Sequence, residues 1–276
     1  MRIDAHCHFW KYDPIVHEWI KDELAILRKD RLPIHLESNL SLHEIDGVVA
    51  VQALPTEQET QFLVDLAKNS SIIKGVVGWI NFNTHQLDKQ LDILTSCPEL
   101  KGFRHLLHSA PPGFLTQSSF IQQVKTLGRY GFSYDILITE HQLAETVAFI
   151  KEVDGHTKLV VNHIAKPAIK NKSFSQWSKG IEAMSHFPEV YVKISGLVTQ
   201  ADWVKWQASD FEPYLSATLD YFGPERLMFG SDWPISSLAA NYTEVIDLIT
   251  SHCTSLSNQE KEQIFGRTAS NFYRLE

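Results

Sequence analysis

Eight short apolar runs, separated by stretches with helical patterning, divide this 276-residue chain from end to end. The runs cover residues 2–9, 46–53, 73–80, 101–106, 132–138, 158–163, 190–195 and 226–231. The helical stretches cover 57–68, 85–95, 118–130, 141–153, 174–186, 211–221, 242–250 and 259–273. Strands alternating with helices make a parallel sheet with helices laid over it. Runs such as GVVAV and KLVV are nearly continuous in apolar residues, as strands buried on both faces must be. Eight such units in 276 residues predict an α/β protein with a closed (β/α)8 barrel, one domain spanning residues 1–276. An open doubly wound sheet is the competing arrangement, but the Gly-rich phosphate turn often found after its first strand is missing.

Residues 11–44 break the rhythm. This charged segment reads as an insertion after strand 1, hanging over one end of the fold, with EWIKDELAILRKD as an amphipathic helix carrying Trp19, Ile20, Leu24 and Leu27 toward one side. The net charge is −8 and the pI about 5.9, with no basic cluster, which argues against nucleic acid and anionic membranes as partners. No run approaches the roughly 20 apolar residues of a membrane span, and no signal-peptide pattern is visible. Three cysteines, Cys7, Cys97 and Cys253, give no disulfide framework, so a reducing cytoplasm is the expected setting. The oligomeric state is left open, a homo-oligomer included.

In a barrel of this kind chemistry gathers at the C-terminal ends of the strands. Strand 1 reads RIDAHCHFW, and strict alternation puts Ile3, Ala5 and Cys7 on one face and Asp4, His6 and His8 on the other. Two imidazoles side by side can hold one metal ion or polarise one substrate oxygen. The other strand ends carry Gln52, Arg104 with His105, Tyr134 with Asp135, His163 with Lys166 just beyond, Lys193, and Ser231-Asp232-Trp233 before Pro234. Each has a structural alternative: Asp232 as a helix N-cap, His163 as a hydrogen-bonded core histidine, Asp4 as a tie to a neighbouring strand. Lys193 lies between Val192 and Ile194, where an unpaired ammonium is costly, so it is expected to point into the barrel mouth toward a carboxylate or a substrate oxygen. Only one of Arg104 and His105 can face inward, and Arg104 is favoured. Trp10, Trp79 and Trp233 stand near strand ends, where they can wall a pocket or simply fill core. His17, His35, His43, His85, His108, His141, His156, His186 and His252 are read as solvated or capping.

Four segments, DAHCHFW, VNHIAKP, FGSDWP and IFGRTASNFYRL, resemble the amidohydrolase superfamily, and within it the amidohydrolase-related family 2 branch of lactonases. YDP, LRKD, VQA followed by Glu59-Thr60, GVVGWINF and KGFRHLLH are similar to the sugar-lactonase group, so the likeness runs over essentially the whole chain. The resemblance implies catalytic roles for His6, His8, His163 and Asp232, with Asp232 as general base. It implies substrate contacts from Lys166 and Lys193, to which Gln52, Arg104, Tyr134 and Trp79 are added as candidates for sugar hydroxyls. Many metal-dependent members carry a bridging Lys or Glu on strand 4 and a histidine on strand 5. Here Arg104-His105 and Tyr134-Asp135 stand instead, so a binuclear centre is not expected. One divalent ion, zinc first among candidates, on His6, His8 and Asp232 is one expectation; a metal-independent site is the other.

The reaction so implied is hydrolysis of a sugar-acid lactone, such as L-fucono- or L-rhamnono-lactone, to the open-chain acid. The alternatives are a zinc-dependent decarboxylase of the same branch, an amide hydrolase of the superfamily, and a non-catalytic sugar- or metal-binding barrel.

Overall fold

The computed structural model describes residues 1–276 apart from His85 and Asp154, so the expectation for His85 lies outside the described residues. The eight runs form strands β1 (Ile3–Cys7), β2 (Gly47–Val51), β3 (Ile73–Gly78), β4 (Leu100–His105), β5 (Ser133–Ile136), β6 (Leu159–Val161), β7 (Val190–Ile194) and β8 (Leu227–Phe229). They pair in parallel and in sequence order. A parallel bridge from Cys7 to Trp233 closes the sheet on itself, so the molecule is a (β/α)8 barrel. The helices are α1 (Glu37–Leu42), α2 (Glu57–Asn69), α3 (Leu87–Leu94), α4 (Ser118–Arg129), α5 (Leu143–Val153), α6 (Ser175–Ser185), α7 (Ala208–Phe222), α8 (Tyr242–His252), α9 (Asn258–Glu262) and α10 (Thr268–Tyr273). Their apolar faces cover the outside of the sheet, where Leu63, Phe120, Phe149, Trp177 and Phe211 are buried. No helix among the described residues is long and apolar enough to cross a membrane.

The interior of the barrel is apolar below and polar above. Ile3, Ala5, Val49, Val51, Val77, Val160 and Met228 fill its lower part together with Phe272, Tyr273 and Leu275 from the chain end. Gly266, just before α10, lies against the backbone of Met1 and Arg2, which places this plug at the N-terminal ends of the strands.

Two expectations about local structure are corrected. In β1 the register advances three residues from Asp4 to Cys7 while β2 advances two, a β-bulge. The extra residue reverses the alternation, so His6 and His8 share the interior with Ile3 and Ala5, while Asp4 and Cys7 meet outside it with Cys7 Sγ donating to Asp4 at 3.0 Å. Asp4 is indeed structural: its carboxylate accepts from the Ser231 amide at 2.8 Å, the His6 amide at 3.1 Å and the Tyr242 hydroxyl at 3.0 Å. In the insertion, the long helix is replaced by a 3-10 turn (Asp22–Leu27). The segment is pinned at both ends by an antiparallel bridge between Trp10 and Arg31, and the resulting loop wraps Ile20 and Leu27 around Trp10 rather than running straight. Trp10 and Trp233 are core: Trp10 packs against Trp19, and Trp233 against Phe9 with Arg31 over its ring.

Candidate active site

The first and last strands are stitched together where their chemistry lies. The Asp232 amide donates to the His6 carbonyl at 2.9 Å, and the His8 amide donates to the Trp233 carbonyl at 2.7 Å. Asp232 itself has φ 57°, a left-handed conformation that Asp tolerates better than most residues. This turns its carboxylate onto the two histidines, with Oδ1 3.3 Å from His8 Nε2 and 3.8 Å from His6 Nε2. The side chain therefore does not serve as an N-cap.

His163 arrives by a stranger route. Residues His163, Ile164, Ala165 and Lys166 all have φ between 44° and 60°, one turn of left-handed helix made without glycine. Each such residue costs about 1–2 kcal/mol, so the turn stores strain of the kind found at functional sites. Residues three apart in a tight turn eclipse one another, and His163 and Lys166 accordingly both face one cavity. The His163 ring lies 4.4 Å from that of His6, and its Nδ1 is 2.8 Å from Ser195 Oγ. Gly196 makes room for this packing. At φ 63°, any Cβ there would stand 2.5 Å from His163 Nδ1 and 3.1 Å from Asp232 Oδ2.

Arg104 faces inward and His105 outward onto Phe82 and the Ile80 carbonyl. The buried guanidinium donates to the Gln52 carbonyl, to Gln52 Oε1 at 3.2 Å, to Asn162 Oδ1 at 3.3 Å and to His6 Nε2 at 3.2 Å. Arg104, His8, His163, Lys166 and Asp232 line a cavity of about 450 Å³ at the C-terminal end of the barrel, in the size range of small-molecule sites. Its upper wall comes from the insertion, through Val16, Glu18 and Trp19, and from Leu54, Leu106, His108 and Ile235.

Protonation follows from these contacts. His8 Nδ1 lies 2.7 Å from the Val51 carbonyl and must donate to it, so in the neutral ring Nε2 carries a lone pair. His6 Nε2 accepts from Arg104 and is a lone pair as well. Burial lowers the pKa of both rings and pushes His163 down to about 3, so all three are neutral near pH 7. Burial opposes ionisation of Asp232, but the neighbouring His163 and His8 rings and the Lys166 ammonium outweigh it and hold the carboxyl below its ordinary value. The His8 lone pair thus faces a carboxylate whose Oδ1 is buried without a hydrogen-bond partner, and the His6 lone pair, which accepts from Arg104, lies beside it. Acceptors converging in this way suit a divalent cation, and the ligating atoms of His6, His8 and Asp232 lie within 4.8 Å of one another.

Four expected substrate contacts lie elsewhere. Lys193 is fully buried beneath the site on Asp135, at 2.7 Å, and the same carboxylate accepts from Asn162 at 2.9 Å and from Tyr273 at 2.8 Å. An inward lysine did need a carboxylate, and β5 supplies one below the cavity floor. Since Asp135 points inward, Tyr134 points outward, into a buried cluster with Phe82, Phe120 and Phe149. Gln52 is buried and occupied by Arg104. Trp79 lines a separate cleft between α2 and α3. Among the other histidines, His17 is buried and His108 borders the cavity, whereas His35 accepts from the Leu32 amide as a capping residue does. The sequence reading missed Ser195, Gly196, Asn162 and Trp19. Asn162 adjoins His163 and Ser195 lies two residues beyond Lys193, but neither carries a signal of its own.

Comparison with known proteins identifies the family. The amidohydrolase family model matches residues 3–275. An L-fucono-1,5-lactonase from Burkholderia multivorans is 37% identical over 287 aligned residues, covering 100% of this chain and 96% of that protein. One from Burkholderia ambifaria is 29% identical over 100% of this chain and 96% of its own length. A crystal structure of a Burkholderia multivorans amidohydrolase with bound zinc superposes with a TM-score of 0.95 at 37% identity, covering all of both chains. With a match from the third residue almost to the last, and such identity along a whole relative, this chain belongs to the amidohydrolase family.

Proposed function

We propose that this protein hydrolyses a sugar-acid lactone to the open-chain acid, with L-fucono-1,5-lactone the first substrate to test. The observation that carries the reading is Asp232: a buried carboxylate, anionic at neutral pH, with one unpartnered oxygen turned into a cavity of neutral imidazoles. The full-length relatives named L-fucono-1,5-lactonase support the choice of substrate.

Asp232 takes a proton from water as the oxygen attacks the ring carbonyl, help typically worth about 10²–10⁴ in rate. Charge then builds on the carbonyl oxygen. When the Ser195 hydroxyl donates to His163 Nδ1, the ring carries its proton on Nε2, and that N–H, with the Arg104 and Lys166 cations, stabilises the oxyanion. Collapse of the tetrahedral centre breaks the ring C–O bond, and protonated Asp232 returns its proton to the leaving alkoxide. His6, His8 and Asp232 would hold a divalent ion, zinc by preference, which polarises a carbonyl when bound. The upper wall, through Val16, Trp19, Leu54, Leu106 and Ile235, shields the reacting ester from bulk water. Three free cysteines, two of them buried, suit a reducing cytoplasm.

The test is a panel of aldonolactones followed by acid release with a pH indicator, with and without chelator. Release from L-fucono-1,5-lactone well above the spontaneous rate is expected. No release from any lactone, at full folding and with zinc supplied, would overturn the proposal.

A further inference from the structure

One wall of the cavity is the β2–α2 loop, through Ala53, Leu54 and Pro55. A single side chain holds this loop from behind. Glu59, 6% exposed in the first turn of α2, accepts from the Ala53 amide on both oxygens, at 3.0 and 3.1 Å, and from the Leu54 amide at 2.6 Å. Thr56 and Glu59 have the spacing of a capping box, in which the glutamate returns to the N-cap amide. Thr56 Oγ1 does accept from the Glu59 amide at 3.2 Å, but the carboxylate reaches past Thr56 to the amides of Ala53 and Leu54, two residues that line the cavity. At its other end the loop starts from Gln52, which is fastened to Arg104.

We propose that Glu59 is a positioning residue of the active site: by holding the Ala53 and Leu54 amides it sets the wall against which the substrate ring rests. The inference rests on the cavity being the lactone site. Burial pushes this carboxyl up to about 7, against the pull of the two amides and of the Arg104 charge from β4. On its own helix, Glu57 turns away to the Asn81 amide at 3.4 Å. The hold therefore weakens just below neutrality. An ionised acceptor makes hydrogen bonds roughly twice as strong as a neutral one, and a protonated oxygen would present a donor to amides that can only donate. Burial drives His163 the opposite way, to about 3, so a transition near pH 7 is not its signature.

The experiment follows amide hydrogen exchange of residues 53 and 54, corrected for intrinsic rates, from about pH 8 to pH 6, in the wild-type protein and in Glu59→Gln. The ionised fraction of Glu59 falls from about nine-tenths to about one-tenth over this range. Protection in the wild type should fall by about fivefold or more, with KM for the lactone rising in step and kcat holding. In Glu59→Gln both should be flat with pH. Protection that does not change with pH in the wild type, or that changes equally in the variant, overturns the proposal; the wild-type measurement decides even if the variant folds poorly. Exchange behaving as expected without turnover of any lactone would overturn the functional reading and leave the role of Glu59 in the loop standing.

Discussion

Replacing Lys193 by methionine separates a structural lysine from a substrate-binding one. Its ammonium and the Asp135 carboxylate are both fully buried, 2.7 Å apart. At an effective dielectric of about 20, charges some 3 Å apart attract by about 5–6 kcal/mol, a gain largely consumed by removing both from water. Deleting the lysine alone removes the attraction and leaves the desolvated carboxylate. Asp135 then keeps only the Asn162 and Tyr273 donors. Breaking a buried pair from one side costs about 3–5 kcal/mol, and two surviving hydrogen bonds put Lys193→Met near the lower end. For a chain of this size that corresponds to a Tm lowered by about 6–10 °C. Adding Asp135→Asn removes the orphaned charge and should restore much of the loss, a non-additivity that a double-mutant cycle in urea reads directly. The KM of the folded single variant should stay within about threefold of wild type, because Lys193 does not reach the cavity. Wild-type stability combined with a KM raised tenfold would refute the reasoning and return Lys193 to the substrate.

Three further outcomes test the site. Asp232→Asn keeps the side-chain shape and removes the base, so kcat should fall by about 10²–10⁴ with an unchanged circular dichroism spectrum, and turnover within tenfold of wild type would contradict its role. Gly196→Ala forces a Cβ against His163 Nδ1 at a left-handed φ, so it should lower kcat at least as far as His163→Ala and cost about 1–2 kcal/mol of stability; a fully active variant would mean that the close packing is unimportant. The pKa of Asp232 is held below the ordinary carboxylate value, so its basic form persists as pH falls, and kcat should be level from neutrality to about pH 5 and decline only below. A kcat that halves near pH 6.5 would implicate an imidazole instead.

Much of this protein was legible in one dimension. The alternation of apolar runs and helical stretches gives the barrel because each strand must be covered on both faces, and the barrel in turn says which ends of the strands carry chemistry. His6, His8, His163, Lys166, Arg104 and Asp232 all sit at those ends, and all meet at the top of the barrel. What a period-two pattern cannot show is a single inserted residue, and the bulge in β1 reversed the face of Asp4 and Cys7. Nor can it show depth: Lys193 and Gln52 face inward as their strands require, but one layer too low or already bonded to a neighbour across the barrel. The left-handed turn at 163–166 leaves no mark in residue type, since none of its members is glycine. Local sequence thus determines which side chains can face the axis, through strand geometry and burial. Which of them reach solvent, and which satisfy one another beneath it, depends on the height at which eight strands from distant parts of the chain come into register, and only the closed barrel decides that.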